Sequence, residues 1–200
     1  MVSLGRRYYC HGLIFSCFTK NTYITLMKPT GIIFDLDGVL VDSTERFKRI
    51  DLDAFQNKDK DKFVASLKAY SADCKGDKVI LSCAQLLSSL CAFYHPEKIF
   101  FVTARQDIGY SPTMQWLKEN DIFGPDTFDN ELIMNPQSLD DFTFEDFDHA
   151  AWKGQVASDL SKNYNILLAV DDTEANCLAF ASRGITTLQF LKPGLGKLVI

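Results

Sequence analysis

The stretch Gly-Ile-Ile-Phe-Asp-Leu-Asp-Gly-Val-Leu-Val-Asp-Ser, residues 31 to 43, constrains this chain more than any other. It is an apolar run that stops at two carboxylates. Ile32, Ile33 and Phe34 read as a strand buried on both faces, the kind found in a parallel sheet covered by helices. Asp35 and Asp37 then fall at its carboxyl end, where ligands bind in open α/β sheets. Two residues apart on an extended backbone, both side chains point to the same side, and Gly38 lets the chain turn sharply beyond them. Two converging carboxylates can hold a divalent cation. One can also attack phosphorus while the other handles a proton.

The rest of the chain repeats the alternation. Ile99 to Val102 reads as a second buried strand stopping at Thr103-Ala-Arg105, Ile166 to Val170 as a third ending at Asp171-Asp172, and Ile185 to Phe190 as a fourth. A short strand fits Leu132 to Met134. Between them, Val79 to Phe93 carries Leu81, Ala84, Leu87, Leu90 and Cys91 at helical spacing, closed by Pro96. Ser111 and Pro112 suit an N-cap and first helical position before Trp116 and Leu117. A helix from about His149 sets Trp152, Val156 and Leu160 on one face with Lys153 beside it, and another spans Thr173 to Ser182 with Gly184 as its cap. Strands alternating with helices predict an α/β fold, a Rossmann-like parallel sheet in three layers with helices on both faces.

The domain predicted from this pattern spans residues 27–192, with a short helical insert over about 44–78 and a tail at 193–200. Neither the insert nor the segment before Lys153 has room for a full lid domain. That predicts a minimal cap or none, and a site open to a large substrate or closed by a partner. Residues 1–26 carry Arg6, Arg7 and Lys20 and no acid. They read either as a disordered or spurious extension, dispensable for folding and hydrolysis, or as a mitochondrial transit peptide.

Charge and cysteine usage narrow the class. Residues 1–34 hold four of the 21 basic residues and none of the acids, leaving 17 against 26, a balance of −9, for residues 35–200. Such a surface predicts no stable non-specific nucleic-acid binding, since Lys and Arg supply most of that affinity. The acidic run Asp140, Asp141, Glu145, Asp146 and Asp148 lacks the spacing of an EF-hand loop and reads as solvated surface. The six cysteines, at 10, 17, 74, 83, 91 and 177, show no Cys-x-x-Cys spacing and read as reduced, with Cys83, Cys91 and Cys177 as core thiols of helices, which predicts a cytoplasmic protein. No apolar run approaches the ~20 residues of a membrane helix.

Right-handed crossovers would carry the polar strand ends to one edge of the sheet. Phosphoryl transfer needs an in-line nucleophile, a cation and donors for the equatorial oxygens. Asp35 suits the nucleophile, Thr103 a hydroxyl donor, Lys153 a fixed positive charge, and Asp171 and Asp172 the remaining metal ligands. Singly, each has a plainer explanation: a helix cap, a surface lysine, a loop.

Taken together, the order Asp-x-Asp, Thr, Lys, Asp-Asp over residues 31–190 resembles the four signatures of the haloacid dehalogenase superfamily. The resemblance implies a phosphatase with Mg²⁺ held by Asp35, Asp37, Asp171 and Asp172. It implies an aspartyl-phosphate on Asp35, Asp37 protonating the leaving oxygen and then activating water, and Thr103, Arg105 and Gly38 against the substrate. The later motifs are similar in wording to the 3′-phosphatase domain of bacteriophage polynucleotide kinase, with Arg105 at that group's site arginine. A 3′-phosphate nucleic-acid end is thus one implied substrate, and a nucleotide or small phosphate ester the other. A non-catalytic phosphate-binding protein on the same fold would have lost one of these positions, and none is missing.

Overall fold

The computed structural model describes residues 28–122, 129–136, 138–144 and 148–191. The expectations for residues 1–26 and 193–200, and for Glu145 and Asp146, lie outside them. In chain order, β1 (Thr30–Phe34) leads to β2 (Val41–Asp42), α1 (Thr44–Phe47), α2 (Leu52–Gln56), α3 (Lys60–Ser71), β3 (Lys78–Val79) and α4 (Leu81–Tyr94). There follow β4 (Lys98–Gln106), α5 (Tyr110–Glu119), β5 (Asp129–Asn135), α6 (His149–Asn163), β6 (Asn165–Asp171), α7 (Glu174–Ala181) and β7 (Thr187–Gln189).

Five strands form one parallel sheet in the order β5-β4-β1-β6-β7. The period of two along each strand divides the core into two layers. Ile32, Phe34, Ile99, Phe101, Leu168 and Val170 face α4 and α5, packing with Cys83, Leu87, Cys91, Trp116 and Leu117. Ile33, Phe100, Val102 and Ala169 face α6 and α7, packing with Ala157 and Phe180. Each large side chain so buried contributes about 1.5–3 kcal/mol. The order reverses at β1, the most apolar strand, so its carboxyl end lies at the switch point where α/β sheets bind ligands.

Gly31 in β1 exists for packing. A Cβ there would stand 2.8 Å from Phe100 Cε2 and 3.2 Å from Ile166 Cδ1, both inside the core. Gly31→Ala is therefore expected to cost about 1–3 kcal/mol, read as a lower urea midpoint. A loss under about 0.5 kcal/mol would show that this layer yields.

Several local expectations are corrected. Val79 does not begin α4: it pairs antiparallel with Val41 in a two-stranded ladder whose other rung is Asp42 with Lys78. The buried stripe of α4 is Cys83, Leu87 and Cys91, while Leu81 is 71% exposed. Ser111 is not the cap of α5, because a 3-10 turn at Asp107–Gly109 already winds the chain and makes Gly109 the cap. Strand β4 runs on through Thr103 and Arg105 to Gln106, its register with β5 shifting after Thr103.

The insert is more than an excursion. Helices α1 to α3 span it, and Ala54, Phe63 and Leu67 pack with Leu139 and Phe142 from the far side of the chain. Rings at Phe55, Phe63, Phe142 and Phe144 lie 5.0–5.8 Å apart. This third apolar cluster makes a small, partial roof at the carboxyl edge of the sheet, which is the minimal cap expected and leaves the site half open. Among the described residues, no helix is long and apolar enough to cross a membrane.

Candidate active site

Register places the first two carboxylates. Phe34 lies opposite Val170 in the β1–β6 ladder, and the Asp35 N–H donates to Val170 O at 2.9 Å, so Asp35 and Asp171 leave neighbouring strands at the same level. Lys153 reaches both from α6. Its Nζ donates to Asp35 Oδ1 at 2.8 Å and to Asp171 Oδ2 at 2.7 Å. It is no surface lysine: four residues before Ala157, it shares the stripe that α6 buries on the sheet. Asp171 Oδ1 accepts from Thr173 N and Asn176 Nδ2, both at 2.9 Å, which fixes that carboxylate at the start of α7.

Burial pushes the Asp35 carboxyl well above the usual carboxylate range, with Lys153 opposing the rise and Asp171 adding to it. Burial pulls Lys153 the other way, but Asp35 and Asp171 outweigh it and hold the ammonium charged. Burial and nearby Lys153 both lower His149, favouring a neutral imidazole on the cavity wall.

Asp37 has a different neighbourhood. Arg105 donates from Nε to Asp37 Oδ2 at 2.7 Å and from Nη2 to Oδ1 at 2.8 Å, and Arg46 Nη2 adds 3.0 Å to Oδ1. Behind them stands Asp77, its side chain fully buried, accepting from Arg46 Nε at 2.9 Å and Arg105 Nη2 at 3.1 Å. Burial raises the Asp37 carboxyl, yet Arg105 first and Arg46 next outweigh it and hold it far below the ordinary range. The same-side geometry of Asp35 and Asp37 survives in that both line one cavity.

Two expected roles change with this network. The remaining Arg105 nitrogen, Nη1, donates to Thr113 Oγ1 at 3.0 Å and lies 3.2 Å from Cys74 Sγ, so the guanidinium's donors are committed within the protein. Arg105 thus fixes Asp37 while it also lines the cavity in which the substrate was expected. Gly38, at φ 87°, makes the turn in which its N–H donates to Val41 O, and it lies outside the cavity lining.

The metal expectation narrows as well. Among the described residues, the carboxylates that lie within 4.8 Å of one another are those of Asp35, Asp171 and Asp172. Asp37 is not among them. Hard oxygen donors at that spacing fit Mg²⁺, whose octahedron spans ~4 Å between opposite oxygens. Three carboxylates around one ammonium also suit a divalent charge.

The cavity holds about 600 Å³ and is lined at its floor by Asp35, Asp37, Thr103, Lys153 and Asp172. Thr103 is buried, and its Oγ1 accepts from Arg105 N at 3.3 Å, leaving the hydroxyl proton to be directed elsewhere. Arg46 and Asp77 were not legible: Arg46 sits among Lys48 and Arg49 in a run that reads as solvated, and Asp77 follows Gly76 in what reads as a turn.

Fold and site together place this chain on the fold of the haloacid dehalogenase-like hydrolases. It is similar to a haloacid dehalogenase-like family hydrolase from Streptococcus pneumoniae, with TM-score 0.51 and 16% identity, covering 80% of this chain and 84% of that one. It is also similar to a chain in a Pnkp1/Rnl/Hen1 complex, with TM-score 0.54 and 14% identity over 94% of this chain and 57% of that one. No protein-family model and no curated protein matches the sequence.

Proposed function

We propose that the protein is an Mg²⁺-dependent phosphomonoester hydrolase. The observation that carries this is Lys153 bridging Asp35 and Asp171, with Asp172 beside them, at the floor of a half-open cavity. Asp35, Asp171 and Asp172 would hold the cation, which when bound supplies charge on the phosphoryl oxygens. Asp35 attacks phosphorus through one carboxylate oxygen, the bond to the leaving oxygen breaks, and an aspartyl-phosphate results. Lys153 keeps Asp35 aimed, and the Thr103 hydroxyl donates to an equatorial oxygen. Asp37, ionised at rest between Arg105 and Arg46, first takes a proton from the incoming phosphate monoanion, gives it to the leaving oxygen, and then takes one from the water that hydrolyses the intermediate to free phosphate and Asp35. To do so its Oδ2 exchanges Arg105 Nε for the reacting oxygen.

A small phosphate ester is the favoured substrate because apolar side chains of the insert narrow the cavity to about 600 Å³. The 3′-phosphate end of a nucleic acid is the second reading, supported by the wording of the later motifs. Phosphate release by the full chain with Mg²⁺ tests both, comparing 3′-phosphorylated oligonucleotides, mononucleotides and small esters, with Asp35→Asn as blank. Release from none above that blank would sink the hydrolase.

Metal binding should also register without turnover. Mg²⁺ at 100 times its dissociation constant is expected to stabilise the protein by about 2.7 kcal/mol, seen as a higher Tm than in EDTA. Asp172→Asn should shrink that gain. Asp171→Asn should instead lower the Tm in EDTA, because Lys153, Thr173 and Asn176 all donate to Asp171. Equal gains from Mg²⁺ in wild type and Asp172→Asn would remove Asp172 from the metal.

A further inference from the structure

The cavity that begins at Asp35 changes character as it rises. Its floor is polar, but its upper wall is Phe47, Ile50, Leu52, Phe55, Phe63 and Leu67, all from the insert. Phe63 and Leu67 are buried and form a fixed backing, whereas Phe47, Leu52 and Phe55 stay 40–50% exposed. Three large apolar side chains left half in water on one short segment, all lining one cavity, are surface that only an entering group can remove from water.

Charge near the floor is largely spoken for. The basic residues nearest the cavity mouth are already paired: Arg46 with Asp37 and Asp77, Lys48 with Glu45, Arg49 with Asp73. With Arg105 committed as well, the arginines beside Asp37 have their donors engaged within the protein. A sugar pressed against phenyl and aliphatic walls would lose hydrogen bonds to water without regaining them there, whereas a nucleobase would stack on the same rings and is tested by the oligonucleotide below.

We infer that the preferred substrate is the phosphomonoester of an apolar alcohol, with an aromatic or branched aliphatic group seated under α1 and α2. This rests on the hydrolase reading for the reaction, but the seat itself is a binding statement. A phosphate on the floor and a ring against Phe55 and Leu52 fit a cavity of about 600 Å³, within the range that small ligands fill. The apolar group adds the affinity, and the phosphate sets its register over Asp35.

Calorimetric titration of the full chain with Mg²⁺ separates the two statements, using 2-phenylethylphosphonate, 2-hydroxyethylphosphonate and a 3′-phosphorylated oligonucleotide. Phosphate release from 2-phenylethyl phosphate and glycerol phosphate runs alongside. The phenyl phosphonate should bind at least tenfold more tightly than the hydroxyl one, and Phe55→Ala or Leu52→Ser, both at half-exposed positions, should cut that ratio to threefold or less. Equal binding, binding of neither, or tighter binding of the oligonucleotide overturns the inference. Selective binding with no release from any ester would remove the hydrolase reading and keep the apolar seat; release without selectivity would do the reverse.

Discussion

Asp35→Asn is expected to lower Mg²⁺-dependent phosphate release by roughly 10⁴-fold or more, with the fold intact. The substitution keeps volume and leaves an oxygen able to accept from Lys153, which now donates at 2.8 Å. It removes the charge that attacks phosphorus and one carboxylate from the cation's cage. Stability should change little, since the same step relieves repulsion between Asp35 and Asp171 in a buried setting. Circular dichroism melts and phosphate release on one preparation would show both effects. Turnover within tenfold of wild type would defeat the covalent route.

The largest effect on stability should come from a residue that touches no substrate. Asp77→Ala is expected to cost about 3–5 kcal/mol, because it leaves two buried guanidiniums sharing only Asp37. The side chains of Arg46 and Arg105 are 1% and 2% exposed, so water cannot replace the lost acceptor. Arg46 also stacks over Tyr70 with Cζ 4.0 Å from the ring centre and donates to Tyr70 O, which holds it in place facing the vacancy. Replacing Arg46 by Met together with Asp77 by Leu should cost less than Asp77→Ala alone, since charge and countercharge leave together. A urea midpoint for Asp77→Ala within about 1 kcal/mol of wild type would mean that the cluster is weaker than its geometry.

What was legible in the chain was whatever repeats locally. Ile32 to Phe34 and Ile166 to Val170 announce buried strands, and their polar ends announce a site, because a carboxylate after such a run has few other places to go. Lys153 was legible only by its company, falling beside the face of Trp152 and Val156. Contacts between distant segments leave no period. Arg46 and Asp77 meet across 31 residues, and nothing in either neighbourhood distinguishes them from solvated charges. Phe63 finds Phe142 some eighty residues on, so the roof could not be read from the insert's own spacing. The face of α4 was misread because Leu81 is apolar and falls on the stripe's spacing although it stands in solvent, while Cys83, read as a core thiol, is indeed enclosed.

The two-residue ladder of β2 and β3 makes the insert a transplantable part. Val41 with Val79 and Asp42 with Lys78 bring the ends of the segment side by side, so the sheet feels only where it leaves and returns. Closing a loop twice as long would cost only about 0.6 kcal/mol more, so the length between those rungs is nearly free to drift. The graft boundary is not at the rungs, however. Arg46 and Asp77 lie just inside them, Arg46 donating to Asp37 and Asp77 accepting from Arg46, so an exchange must retain a few residues at each end. Within that frame, which includes Ala69 and Tyr70 because Arg49 and Arg46 donate to them, residues 50–68 are the natural unit for redesign: a different set of helices there would reshape the upper cavity and leave the carboxylate floor in place.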